Sequence, residues 1–221
     1  MKADVLIPLL IEATGETFYM VIVATILAYV FGIPLGVLLF ITDKGGIKEN
    51  RVVNLVLGLA INILRSIPFL ILLVAILPFT RFVVGTTIGT TAIIVPLVVA
   101  AAPFVARMVE SSLKEVDEGV IEAAKAMGST DWQIITKVLL PEARPSLLIG
   151  LTIAFATILG YSAMSGFVGG GGLGKMAHTY GYIRYQTDVM VIDVVLLVII
   201  VQVFQEVGMR LVNRTDRRIK K

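Results

Sequence analysis

Long stretches with few or no charged side chains are the feature that most constrains this chain. They cover residues 17–41, 54–79, 84–106, 146–168 and 189–211. Each is at least as long as the roughly 20 apolar residues that a helix needs to cross a bilayer. A charged side chain at the bilayer centre costs about 2.5–3.5 kcal/mol on insertion scales, so such windows mark spans. The sequence therefore predicts an all-α integral membrane protein with five transmembrane helices.

The composition agrees with a membrane protein and excludes several classes of function. Of 221 residues, 57% are hydrophobic and 16% charged, and the mean hydropathy is +0.93. Five spans leave only modest loops, so we expect one transmembrane domain over residues 1–221 and no soluble enzyme domain. The chain has no cysteine and one histidine, which excludes thiolate sites and histidine clusters, and no metal site is predicted.

The positions of the basic residues predict the orientation. Lysine and arginine accumulate in short cytoplasmic loops. Four lie on the side of the N-terminus, namely Lys2, Arg81, Lys175 and Arg184. Fourteen lie on the side of the C-terminus: Lys44, Lys48, Arg51, Arg107, Lys114, Lys125, Lys137, Arg144, Arg210, Arg214, Arg217, Arg218, Lys220 and Lys221. This asymmetry predicts an external N-terminus and a cytoplasmic C-terminus. Because the basic residues follow the topology, the chain's net charge of +3 does not indicate a nucleic-acid site.

The longest predicted loop is cytoplasmic and covers residues 107–144. Residues 120–127 are good helix formers, and Gly128 is placed to end that helix in the left-handed conformation. Ser129 or Thr130 can then cap a second helix that begins near Asp131 and stops before Pro141. On the helix pattern alone, a solvated surface loop is an equal alternative.

This loop resembles the EAA loop of the permease subunits of bacterial ABC importers. In that family the loop forms a coupling helix that docks on the cytoplasmic ATPase subunit. The resemblance carries the ATPase-coupling role to Glu122, Ala123, Ala124, Ala126, Met127, Gly128 and Pro141. Three further segments, residues 64–69, 101–110 and 160–164, are similar to the methionine-uptake branch of the family.

The resemblance implies the ABC importer permease fold and a subunit of a D/L-methionine importer in the bacterial inner membrane. It implies a homodimer with two cytoplasmic ATPase subunits and an external substrate-binding protein. This chain would then be no enzyme and hold no cofactor, because ATP and magnesium bind to the ATPase. The same role for another amino acid or a quaternary amine remains open, and an ATP-independent channel or carrier is the alternative from a different class.

A glycine-rich segment at residues 169–175 matches two nucleotide-binding patterns, which we reject. A P-loop needs Ser or Thr where this chain has Met176, and both motifs require a preceding strand rather than a membrane helix. We expect a flexible turn at the external mouth, where a binding protein can seat. Tyr180, Tyr182 and Tyr185 follow it as an interfacial aromatic belt, and His178 is expected at the surface.

Four residues within the predicted spans are candidates for particular roles. Arg65 is predicted to reach toward the cytoplasmic headgroups or to form a structural ion pair, for example with Glu110, near a helix break at Pro68, and substrate binding is the alternative. Tyr161, Ser162 and Met164 are candidates for the pathway, with Met164 as a gate because a flexible thioether can repack as helices move. Packing in lipid or in the bundle core is an equal alternative for Met164.

Overall fold

The computed structural model describes residues 3–215, and this range is helical with no strand. The α-helices are α1 Ala3–Thr42, α2 Arg51–Ser66, α3 Phe69–Ala75, α4 Leu77–Val84, α5 Thr90–Lys114, α6 Glu118–Ala126, α7 Asp131–Gln133, α8 Leu140–Glu142, α9 Arg144–Ser165, α10 Gly172–Met176 and α11 Thr187–Thr215. Two π-helical segments, Ile134–Leu139 and Ala177–Ile183, and the 3₁₀ turn Gly166–Val168 complete the path. Lys2 and the basic tail from Arg217 to Lys221, which entered the orientation count, lie outside the described residues.

Four helical stretches are long and apolar enough to cross a membrane. They are Asp4–Thr42, Thr90–Lys114, Arg144–Ile183 and Thr187–Asn213. Helices α2 and α3 pass the same test only as a pair, which gives up to five spans. The predicted all-helical membrane fold is thus confirmed.

The second predicted span, residues 54–79, is wrong as a single helix. Helix α2 ends at Ser66, and α3 leaves it at an angle of 103°. The break falls where the sequence places Pro68, which has no N–H and forces Ile67 into an extended conformation (φ −80°, ψ 124°). The predicted break at this proline is confirmed and separates α2 from α3, and a second break, at Ile76, separates α3 from α4.

The third predicted span, residues 84–106, is displaced along the chain. Gly85 and Gly89 have positive φ, so the helix starts only at Thr90, and it then continues eight residues past the predicted end. Arg107, Glu110 and Lys114, which the sequence places in the loop, lie inside this helix. Their charges compensate one another, because Glu110 binds both Arg107 and Lys114. The loop that the sequence predicts to be cytoplasmic therefore begins after Lys114 rather than at residue 107.

The longest helix, α1, packs closely along α5. An added Cβ at Gly32 would lie 2.5 Å from Val105 Cγ1, and one at Gly36 would lie 2.5 Å from the Ala106 carbonyl oxygen. Such contacts leave no room for a side chain, so the two backbones approach at van der Waals distance. Val105 and Ala106 are fully buried. The α1–α5 pair is the centre around which the other helices assemble.

The glycine-rich segment is a packed element rather than the expected flexible turn. Residues 170–174 are buried against α1 and α9. The Glu16 carboxylate accepts a hydrogen bond from the Gly172 N–H (2.6 Å), and Thr17 Oγ1 accepts one from the Leu173 N–H (2.9 Å). Gly172 has φ +73°, and its α-carbon faces Thr17 too closely for any side chain. We call this arrangement the glycine latch.

Candidate functional site

Helix α6 has a well-defined beginning and end. The Asp117 carboxylate accepts a hydrogen bond from the Gly119 N–H (2.7 Å) and so caps the first turn. At the other end, the Gly128 N–H donates to the Lys125 carbonyl (2.9 Å) and the Ser129 N–H donates to the Ala124 carbonyl (3.1 Å). With Gly128 at φ +78°, this is a Schellman motif, as predicted from the glycine.

A second helical stretch begins three residues after this glycine, at Asp131. Thr130 and Gln133 form a capping box, in which Thr130 Oγ1 accepts from the Gln133 N–H and Gln133 Oε1 accepts from the Thr130 N–H. The predicted stop before Pro141 is wrong. The chain remains helical past this proline, because the π-helical segment Ile134–Leu139 widens the turns where Pro141 cannot donate to the carbonyl one turn earlier.

The corner formed by residues 118–133, here called the α6–α7 corner, has an outer and an inner face. Ala124 is buried against Ile134 and Ile135, so it anchors the corner. Met127 and Trp132, in contrast, are 79% and 72% exposed. The other predicted coupling residues, Glu122, Ala123, Ala126, Gly128 and Pro141, are also exposed. Trp132 was absent from the residues predicted for this site, although a large aromatic side chain beside a capped corner is a usable signal.

Of two ion pairs near the α6–α7 corner, one joins the ends of α5 and α1 behind it and the other holds the corner to the α1–α2 loop. Lys114 binds Asp43 (2.9 Å) at the end of α1, and Lys48 binds Asp131 (3.3 Å) at the start of α7. A cavity of about 410 Å³ lies between the α1–α2 loop and α6. Individual exposed pairs contribute about 0–1 kcal/mol, so their role here is to fix position.

The Asp43 pair should persist under all physiological conditions. Its hydrogen bond to the Lys114 ammonium, helped by the Lys44 N–H, holds the pKa of this carboxyl below its ordinary 3.8. Because the folded-state pKa is lowered, the stabilisation is present above pH 3.8 and is lost only as the pH falls through the lower folded-state value. We expect Asp43→Asn to lower the melting temperature at pH 7 but to match the unsubstituted protein in stronger acid. A melting-temperature difference that disappears already at pH 5 would contradict this pairing.

Arg65 does not have the partner that the sequence indicated. Glu110 is engaged by Arg107 and Lys114, so the proposed ion pair with Arg65 is wrong. The exposed Arg65 guanidinium instead lies 5.9 Å from the centre of the Phe104 ring. Arg107 takes the structural role, because its Nη2 donates to the Gly58 carbonyl (3.1 Å) and to Asn62 (3.0 Å) and so ties α5 to α2.

The three pathway candidates on α9 point in different directions. Tyr161 stacks on Phe69 with ring centres 4.6 Å apart, which joins α9 to α3. Ser162 is buried and its hydroxyl donates to the Leu159 carbonyl (2.8 Å), so it faces its own helix. Met164 is 45% exposed and lies on the face of α9 that the other helices leave uncovered. We call this face the open face of α9.

The remaining predicted surface features are distributed near α10. His178 is half-buried and lies 4.5 Å from the Phe167 ring. Tyr182 and Tyr185 are exposed, whereas Tyr180 is half-buried beneath the Arg184 guanidinium, 4.7 Å from its ring centre.

The fold and the site together define a class of protein. It is a helical, membrane-spanning subunit with an anchored and exposed corner. The chain belongs to the family of binding-protein-dependent transport system inner membrane components, whose family model matches residues 32–221. It has the ABC importer permease fold.

Several proteins are similar over almost the full chain. The probable D-methionine transport system permease protein MetI of Vibrio cholerae is 53% identical over 210 residues, which are 95% of this chain and 93% of the relative. The methionine import system permease protein MetP of Bacillus subtilis is 46% identical over 94% of this chain and 93% of its own length.

Solved structures agree with the fold. A chain from the structure described as inward facing conformations of the MetNI methionine ABC transporter is 49% identical and superposes with a TM-score of 0.95, covering 98% of this chain and all of that one. A chain of an amino acid ABC transporter solved with histidines is 21% identical and has a TM-score of 0.77 over 94% of each chain, which is a likeness of fold alone.

Proposed function

We propose that this chain is the permease subunit of an ATP-driven, binding-protein-dependent importer of methionine. The observation that carries the proposal is the α6–α7 corner, which is rigidly anchored yet exposes Met127 and Trp132. Exposed large apolar side chains on an ordered corner are what a protein partner buries. The solute follows from the names of the relatives that match over nearly the whole chain.

In the proposed topology, residues 1–221 form one domain with five spans, and the broken segment α2–α3–α4 serves as the second. The protein lies in the bacterial inner membrane. Its N-terminus is on the external side and its C-terminus is in the cytoplasm. This arrangement puts the α6–α7 corner on the same side as Lys44, Lys48 and Arg51, in agreement with the distribution of basic residues.

The proposed assembly is a homodimer of permeases with two cytoplasmic ATPase subunits and an external substrate-binding protein. ATP and magnesium bind to the ATPase subunits, and this chain contributes the translocation pathway. Closure of the ATPases can shift the permease between inward- and outward-facing packings only by contacting the α6–α7 corner differently in the two states. The anchoring by Ala124 and by the Lys48–Asp131 pair passes that displacement to the helices.

We place the gate of the pathway on the open face of α9, with Met164 as its principal residue and Tyr161 as a neighbour. A flexible apolar side chain can close a narrow pore by excluding water and can repack when helices move. Ser162 does not belong to the gate, because it is buried and its hydroxyl donates to the Leu159 carbonyl within α9.

Apolar docking of the ATPase predicts a sharp effect of charge at Met127. Burial of a methionine side chain is worth about 1.5–3 kcal/mol, so Met127→Asp should weaken ATPase binding about 10- to 100-fold. Met127→Leu keeps the apolar contact and serves as the control. The measurement is copurification of the ATPase with the tagged permease from gently solubilised membranes at matched expression.

The function itself is tested with the complete complex in proteoliposomes. With binding protein and ATP, we expect labelled methionine to accumulate against its gradient, and accumulation to stop without ATP. A permease that purifies alone and equilibrates solute without ATP would overturn the importer proposal in favour of a passive carrier.

A further inference from the structure

A polar cleft opens on the side of the molecule where α2, α5 and α9 meet. Its volume is about 290 Å³, close to the lower end of small-molecule pockets. The polar side chains that line it are Arg65, Arg107, Ser111, Ser112, Glu115 and Ser146. Ile149 and Gly150 of α9 also line it.

The position of Arg65 sets the character of this cleft. At 1.5 Å per residue, α2 carries Arg65 about 21 Å beyond Arg51, which is deep relative to a hydrocarbon core of about 30 Å. Its guanidinium is exposed, and within residues 3–215 it has no hydrogen bond or ion pair. An arginine at such depth faces a water-filled space or a partner rather than lipid.

The other groups in the cleft supply complementary chemistry. Arg107 adds a second guanidinium, and its Nε is buried without a partner in the described part of the chain. Glu115 follows the last residue of α5 and brings a carboxylate to the cytoplasmic edge. The Nη atoms of Arg107 are already engaged, so the free donors for a carboxylate come from Arg65, while Glu115 offers an acceptor for an ammonium group.

The cleft is continuous with the open face of α9. Ile149 lines the cleft, and Ile153, Gly160 and Met164 follow at helical spacing toward the other end of the helix. Ile149, Ile153 and Met164 are 39%, 45% and 45% exposed. A polar vestibule therefore lies on the cytoplasmic side of an apolar stripe.

We propose that this cleft is a transient binding site for the α-amino acid head group on the inner half of the pathway. Arg65 binds the α-carboxylate in a bidentate manner, and Glu115 receives the α-ammonium group as the solute leaves toward the cytoplasm. The apolar side chain of the solute remains against Ile149 and Ile153. The inference rests on the proposed importer function and assigns a substrate-contacting role to residues that ATPase docking does not use.

The site can be located directly by photolabelling. The probe is a diazirine analogue of methionine that keeps both the α-amino and α-carboxylate groups, added to the solubilised permease–ATPase complex. After irradiation, mass spectrometry should find label in peptides that contain residues 107–115 or 146–153. Excess methionine should compete, whereas methioninol, which has no carboxylate, should not.

Two arginine substitutions on one helix give a matched comparison. Loss of a charge-assisted hydrogen bond predicts that Arg65→Gln lowers the labelling of these peptides about tenfold. Arg51→Gln removes an exposed arginine at the start of the same helix and should leave labelling unchanged. In proteoliposomes, Arg65→Gln should also lower methionine transported per ATP hydrolysed, with the binding-protein-stimulated ATPase retained.

The outcomes separate this inference from the function on which it rests. Label elsewhere in the chain, equal competition by methioninol, or undiminished labelling of Arg65→Gln overturns the cleft site while ATP-driven accumulation of methionine leaves the importer intact. Failure of the unsubstituted complex to accumulate methionine overturns the importer and the cleft site together.

Discussion

Replacing Gly128 with valine should uncouple the permease from its ATPase. Gly128 has φ +78°, and a β-branched residue in the left-handed region costs about 1–3 kcal/mol. Because its N–H and that of Ser129 close the end of α6, the strain is relieved by opening the Schellman motif. We expect loss of most ATPase copurification and of ATP-driven methionine uptake, measured at matched permease levels in membranes.

Two control variants distinguish loss of the corner from general damage. Gly85 has φ +79° at the end of α4, and an added Cβ there would meet nothing within 4 Å, as at Gly128. Gly85→Val therefore imposes the same backbone strain away from the α6–α7 corner and should retain the ATPase. Gly128→Asn should retain it too, because asparagine tolerates the left-handed conformation. Equal loss in Gly85→Val and Gly128→Val would contradict a specific role for the corner.

The second large effect is expected at the crossing of α1 and α5. An alanine at Gly36 would place its Cβ 2.5 Å from the Ala106 carbonyl oxygen and 2.6 Å from Val109 Cβ, so the helices must separate. Overpacking of this kind costs about 1–3 kcal/mol and sometimes more. We expect Gly36→Ala to lower the melting temperature in detergent and to reduce the yield of folded protein.

Gly15, on the same helix, is the matched control because it has free space around it. An added Cβ at Gly15 would meet nothing within 4 Å. Since alanine favours a helix over glycine by about 1 kcal/mol, Gly15→Ala should leave the melting temperature unchanged or raise it. A similar fall for both variants would mean that helix–helix distance at Gly36 is unimportant. Thermal unfolding followed by size-exclusion chromatography is the appropriate measurement.

Features that depend on neighbouring residues were accessible from the sequence. Gly128 predicts a helix end because few other residues adopt a left-handed conformation, and Thr130 predicts a cap because its hydroxyl reaches the backbone of the next turn. The break at Pro68 follows from its missing N–H. The direction taken after that break, 103° away, depends on what α3 packs against and was not predictable locally.

Features that depend on which residues meet in the folded chain were not predictable, because no local pattern indicates the partner. A rule that ends spans at charged residues fails at α5, where Glu110 compensates Arg107 and Lys114 within one helix. The glycine latch joins Glu16 to Gly172 across 156 positions, and nothing near either residue indicates the other. Arg65 was likewise assigned a carboxylate that the structure gives to nearer cations.

The length of α1 has a mechanical consequence. This single helix of 40 residues is about 60 Å long, longer than the hydrocarbon core is thick. The glycine latch is attached about a third of the way along α1 through Glu16 and Thr17, and the Asp43–Lys114 pair follows directly after the C-terminal end of this helix. If α1 tilts as a stiff rod about its tight crossing with α5, displacement of the latch moves the Asp43 end in the opposite direction. In the proposed importer, a movement of the glycine latch is thus transmitted to the opposite end of α1 without passing through the solute pathway.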